Sequence, residues 1–219
     1  MRSLSLIVVL ITSGVLVGCS QRFQDTQDTF QEAFFGRSDI EMSEQKVKEL
    51  PYASLYARIN QGPQIFMVLA FVDYIPSTQS YRLKWLSADG AMLATENGRI
   101  VKTLSLPGSN LSNLHAPNKP TLHAQQWQAT FDWQPDYRFS QEAQVTTHLV
   151  GNEKVSSLLW EKSTDHIRET YKFETTKDSM TSDYWLDDLG NVVKSAQWLI
   201  PEELYVELEI LKPYAANQE

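Results

Sequence analysis

The sequence predicts a mainly β protein, an antiparallel sandwich or barrel with short helices confined to its N-terminal part. Three observations carry this. First, apolar and polar residues alternate with period two in long runs. In HAQQWQATFDW, Trp127, Ala129, Phe131 and Trp133 share one face while Gln126, Gln128, Thr130 and Asp132 share the other. Leu204, Val206, Leu208 and Ile210 alternate in the same way with Glu203, Tyr205, Glu207 and Glu209, the pattern of a half-buried antiparallel strand. Second, turn signals punctuate these runs at close spacing: Asn60-Gln61-Gly62-Pro63, Asp89-Gly90, Asn97-Gly98, Gly151-Asn152 and Asp188-Leu189-Gly190-Asn191. Third, no long helix separates the about ten to twelve short strands, which argues against a parallel α/β arrangement.

The chain opens MRSLSLIVVLITSGVLVGCS. Arg2 and the terminal amine supply a positive start, and Leu4 to Val17 is uncharged and mostly apolar, short for a membrane span and suited to a secretory signal. It runs into Leu16-Val17-Gly18-Cys19, which matches the bacterial lipoprotein signal, and Cys19 is the only cysteine in the 219 residues. Residues 1–18 therefore read as a cleaved signal peptide, 19–50 as a lipid-anchored helical segment and 51–219 as the β domain. Acylation of Cys19 would hold the protein on a membrane, since each buried methylene contributes about 0.8 kcal/mol. Ser20, where an Asp would signal inner-membrane retention, points to the outer membrane, facing the periplasm. A lone cysteine rules out an intramolecular disulfide.

Gln21 to Leu50 reads as helical. Phe23, Phe30 and Phe34 fall on one stripe, Gly36 is a stop, Ser43 is an N-cap for EQKVKEL, and Pro51 ends that helix. YASLYARI and IFMVLAFV follow as strands. The second is apolar on both faces and is expected to be covered on both. SYRLKWLS comes next, then two hairpin corners at Asp89-Gly90 and Asn97-Gly98, with MLAT between them and IVKTL returning. Here Trp85 is expected to face inward, Asp89 to belong to a turn and Arg99 to cap a hairpin. Residues 105–122, with three Pro and three Asn, read as the longest loop. AQVTTHLV and VSSLLWEK read as a hairpin turning at Gly151-Asn152. HIRETYKFET, SDYWLDD and VVKSAQWLI are further strands.

Carboxylates outnumber Lys and Arg by 27 to 19, for a net charge of −8. With no basic run, the chain is a poor candidate for nucleic acid. It would also repel a strongly anionic polysaccharide unless its charge is unevenly distributed. Six Trp, nine Tyr and nine Phe beside nine Gly and nine Pro indicate packed sheets and turns, not disorder. No Gly-x-Ser-x-Gly, His-Glu-x-x-His or phosphate-cradling glycine loop is present. His115, His123, His148 and His166 are scattered beyond local metal-ligand spacing. Asp187 and Asp188 are adjacent, and neighbouring strand residues point to opposite faces, so they cannot flank one glycosidic bond. Asp188 is expected to start a turn. The rows Trp127–Trp133 and Tyr81–Leu83–Trp85 read as core, with a minority of rings left to line a sugar groove.

Four segments carry a family resemblance: DTFQEAFFG (Asp28 to Gly36), LPYASLYARINQGPQIFMVLAF (Leu50 to Phe71), KWLSADGAMLATENGRIVKTLSL (Lys84 to Leu106) and the ending IPEELYVELEILKP. With the signal at Leu16-Val17-Gly18-Cys19, they make the chain similar to the exopolysaccharide and group 4 capsule lipoproteins, the YjbF/GfcB (YmcC) family. The stretch 107–182 is less diagnostic. The resemblance implies an antiparallel barrel-like sandwich with short N-terminal helices, and an outer-membrane lipoprotein serving extracellular polysaccharide or capsule production. It carries over Cys19 for lipid attachment, and no catalytic, cofactor-binding or metal residue. The function expected is a non-enzymatic accessory factor in polysaccharide production or export, partnered by secretion proteins. A carbohydrate-binding module is the alternative, and a glycan-modifying enzyme a more distant one.

Overall fold

The computed structural model describes residues 38–76 and 78–215. The signal, Cys19, Gly36 and the stripe Phe23, Phe30 and Phe34 lie outside the described residues. Among the described residues one short helix, α1 (Glu44–Glu49), precedes twelve strands: β1 (Ser54–Ile59), β2 (Ile65–Ile75), β3 (Ser80–Ser87), β4 (Met92–Glu96), β5 (Arg99–Leu104), β6 (Asn110–His115), β7 (Gln125–Gln134), β8 (Arg138–Ser156), β9 (Glu161–Phe173), β10 (Ser179–Leu186), β11 (Val192–Ile200) and β12 (Leu204–Lys212).

Helix α1 starts where its sequence says. The Ser43 hydroxyl accepts from the Lys46 N–H at 3.3 Å, and Glu44 and Lys48 pair one turn apart. Residues 38–43 are not helical, a correction to the longer helical reading. The Ile40 N–H is spent on the Gln64 carbonyl, and Asp39 pairs with Arg58 while accepting the Gln64 N–H. These bonds fix the segment beside β1, where Val47 of α1 is fully buried.

The strands form one antiparallel sheet in the order β5-β4-β3-β2-β1-β12-β11-β10-β9-β8-β7-β6. All neighbours are consecutive in sequence except β1 and β12, which join the two halves. The outermost strands, β5 and β6, meet through side chains. The Thr103 hydroxyl accepts the Leu111 N–H at 2.9 Å and lies 3.1 Å from the Asn110 side-chain oxygen. The sheet is thus a nearly closed, barrel-like sandwich, which removes most of the exposed-edge liability of a long meander.

The barrel is flattened where β5 meets β11 across its interior. Gln197 accepts from the Ile100 N–H at 2.9 Å and donates to the Gly98 carbonyl at 3.0 Å. Gly98 has φ +81°, and a Cβ there would sit 2.3 Å from Val192 Cβ. Backbone conformation and space both demand glycine at this corner. The core fills with the Trp127, Phe131, Trp133, Tyr171 and Phe173 rings, whose mutual centroid distances of 5.4 to 6.2 Å are those of edge and tilted aromatic packing. Trp85, as expected, points inward, with its indole N–H on Thr95 at 2.9 Å.

Three sequence expectations fail here for identifiable reasons. IFMVLAFV is not covered on both faces: β2 outruns β1, whose first partner is Ser54 opposite Val68, so Phe71 and Val72 are exposed on a projecting β2–β3 hairpin. The supposed loop 105–122 contains β6. A bulge between Leu111 and Asn113 breaks the alternation, so Leu111 and Leu114 are both buried despite their odd spacing. Gly151-Asn152 is no turn. The register shifts between Leu149 and Gly151, β8 continues to Ser156, and the chain reverses at 157–160.

Candidate functional site: a polar layer inside the barrel and the pocket that shares its arginine

Most inward positions are apolar, but one row is not. Thr147 of β8 lies opposite Glu169 of β9, Glu169 opposite Ser182 of β10, and Ser182 opposite Gln197 of β11. All four are buried. Strand alternation puts Glu169 on the same face as Ile167, Tyr171 and Phe173. A carboxylate placed there needs a partner, and Arg99, the first residue of β5, supplies it.

The Arg99 Nη2 donates to Glu169 Oε1 at 2.6 Å, with both side chains almost wholly removed from solvent. The other terminal nitrogen donates to the Asn118 carbonyl. The guanidinium carbon lies 4.9 Å from the Trp127 ring centre and 5.8 Å from that of Tyr184. Tyr171 donates its hydroxyl to Glu169 Oε2 at 2.6 Å, so both carboxylate oxygens are committed. Tyr184 donates to Gln197 at 3.3 Å. Burial opposes the Arg99 charge, but Glu169 outweighs it and holds the pKa above the ordinary arginine value. Burial, then Glu169, raises both Tyr171 and Tyr184, so both hydroxyls remain protonated donors at neutral pH. Among the described residues, the Arg99 Nε, Trp127 Nε1 and Thr147 Oγ1 are buried without a partner. Such orphans are rare enough in folded proteins to call for an explanation.

Arg99 also lines a cavity of about 120 Å³ together with Glu96, Asn97, Asn118 and Lys119. It opens between the β4–β5 turn and the β6–β7 loop. Glu96 is engaged by Arg82 at 2.6 Å, whereas Lys119 is exposed and has no ion pair or hydrogen bond among the described residues. Glu169 is locked between Arg99 and Tyr171, and the ion pair is closed within the interior.

The expectation that Arg99 caps a hairpin is corrected: it is an interior residue tied to a strand 70 positions away. Asp187, not Asp188, organises the β10–β11 turn. Asp187 accepts the Asn191 and Leu189 N–H groups and the Lys162 ammonium, while Asp188 is exposed. Burial pushes the Asp187 carboxyl up, but Lys162 and those N–H groups outweigh it and leave it below its ordinary value. Asp89 sits in its turn, accepting from the Ala91 N–H. Trp85, Trp127 and Trp133 are core. Trp185 lies on the outer face, stacked on His166 at 4.6 Å. His166 in turn contacts Asp183 at 2.6 Å and Glu153 at 3.3 Å, a grouping from three strands that residue spacing could not show. Arg168 also holds Asp183, and no three metal-binding side chains converge among the described residues. Cys19 lies outside the described residues.

The chain is 30% identical over 222 residues to the uncharacterized lipoprotein GfcB of Escherichia coli K12, covering 94% of this chain and 98% of that one. It is also 30% identical to the uncharacterized lipoprotein YjbF of the same organism, covering 93% and 95%. The solved structure of the hypothetical lipoprotein YmcC from Escherichia coli K12 superposes with a TM-score of 0.70 at 26% identity, covering 90% of this chain and 98% of that one. The model of the family described as "Group 4 capsule polysaccharide lipoprotein gfcB, YjbF" matches residues 27–211, and the chain belongs to that family.

Proposed function

We propose that this protein is a lipid-anchored, non-enzymatic accessory factor in the production or export of an extracellular or capsular polysaccharide. In this reading Cys19 is acylated after removal of residues 1–18 and holds the β domain on the periplasmic side of the outer membrane. There the protein binds a component of the secretion machinery. The observation that carries the reading is membership of the group 4 capsule lipoprotein family, together with a lone cysteine directly after Leu16-Val17-Gly18. Ser20 supports the outer membrane as the destination. The one buried carboxylate on the polar row has both oxygens occupied, by Arg99 and by Tyr171.

Deletion of the gene in a polysaccharide-producing strain tests this. Extracellular polymer is expected to fall and to return on complementation, and crosslinking from membranes should recover a secretion component with the protein. Unchanged polymer output in the deletion strain would remove the reading. Recovery of activity on the purified polymer would replace it with a glycan-modifying one.

A further inference from the structure

Charge is distributed unevenly along this acidic chain. Between Asn97 and Phe131 there is no Asp or Glu, while Arg99, Lys102 and Lys119 fall within the stretch together with His115 and His123. In the fold this stretch supplies β5, β6 and the β6–β7 loop, and with them most of the wall of the 120 Å³ cavity. The carboxylates nearest that wall are already neutralised, Glu96 by Arg82 and Glu169 by Arg99. With those two pairs balanced, the uncompensated charge at the cavity is that of Lys119, and no unpaired carboxylate lines it among the described residues. Among the described residues Lys119 is unpaired at the rim, and Arg99 lies almost wholly buried in the wall. Asn97 and Asn118 contribute amides, and Val101 and Pro117 an apolar edge. A volume of this size equals about four waters, enough for a carboxylate and the adjoining edge of one sugar ring but not for a stretch of polymer.

We propose that this pocket binds the carboxylate-bearing end of an acidic saccharide, a uronate at a chain end or side branch. Arg99 and Lys119 hold the carboxylate, and Asn97 and Asn118 hold ring hydroxyls. The inference rests on the polysaccharide reading and names the ligand class it would involve. An anion here meets the unpaired Lys119 ammonium beside the Arg99 guanidinium, and charge-assisted N–H···O bonds are the stronger kind.

The test is NMR titration of the folded domain with D-glucuronate, with D-glucose and acetate in parallel arms. Saturable binding of glucuronate is expected, with the Arg99 Nε–H signal and the Asn97 and Asn118 amides shifting together. Glucose should not bind, acetate should bind more weakly, and added salt should weaken the glucuronate response. Lys119→Glu, at an exposed position, should fold normally and bind at least about tenfold more weakly. The paired variant Arg99→Met/Glu169→Leu, which removes the ions together, should lose the response while remaining folded. Absent saturation, a Lys119→Glu variant that binds as wild type, or acetate binding as well as glucuronate would each overturn the proposal. A binding failure beside an intact deletion phenotype would remove this inference alone; loss of the phenotype effect would remove the reading beneath it.

Discussion

Replacing Glu169 by Gln removes one charge from the interior and changes almost no volume. At 2.6 Å, the attraction it provides to Arg99 is about 6 kcal/mol at an effective dielectric near 20. Much of that offsets the desolvation of the two ions. The substitution strands an unpaired guanidinium between Trp127 and Tyr184, and breaking a buried pair in this way costs about 3–5 kcal/mol. With a urea slope of about 2 kcal/mol per molar, the unfolding midpoint should fall by about 2 M. The isosteric change leaves the aromatic packing in place, so the slope itself should hold. The double variant Arg99→Met/Glu169→Leu should recover most of the loss, because no ion then remains to be solvated. Urea melts of all three proteins measure this. If Glu169→Gln stays within about 1 kcal/mol of wild type, or the double variant is as unstable as the single one, the pair is not the interior tie described here.

Other expected outcomes follow from the same geometry. Gly98→Ala meets both a left-handed backbone and Val192 at contact distance, and should destabilise by about 2–4 kcal/mol in thermal or urea unfolding. A neutral effect would mean the β5–β11 contact yields freely. Thr103→Val leaves the Leu111 N–H without an acceptor where the sheet closes. About 1–3 kcal/mol and faster amide exchange in β6 than in β7 are expected, and unchanged β6 protection would contradict side-chain closure. The Asp39 carboxyl is lowered from 3.8 to about 2, first by Arg58 and then by the Gln64 N–H. Because its folded value lies below the unfolded one, its contribution is complete above the unfolded value and is lost as pH falls toward 2. A carboxyl NMR titration with its midpoint near 3.8 would show that the segment at 38–40 is not held by this contact.

The strands were legible because alternation was intact in them. Trp127 to Trp133 and Leu204 to Leu208 bury alternate residues as their pattern demands. Legibility ended at bulges, where two residues face one. Leu111 and Leu114 are inside only because the register slips between them, and Gly151 bends a continuing strand. Half of the interior site also had a signal in the sequence. Glu169 lies in phase with Ile167, Tyr171 and Phe173, and a charge on an apolar row marks a buried ion needing a partner. The identity of that partner was not local. Arg99 follows a hairpin corner, where an exposed cap is the ordinary expectation, and only closure of the barrel brings it to Glu169. The His166, Asp183 and Glu153 grouping was hidden for the same reason, since its members come from β8, β9 and β10.

The central claim is that the β domain serves polysaccharide production from a membrane-held position fixed at Cys19. The most direct measurement is extracellular polymer yield in a deletion strain carrying either the wild-type chain or Cys19→Ala exported through a conventional signal peptide. Wild type is expected to restore the polymer, whereas the unanchored domain accumulates in the soluble periplasmic fraction and does not. Full restoration by the unanchored domain would contradict the claim.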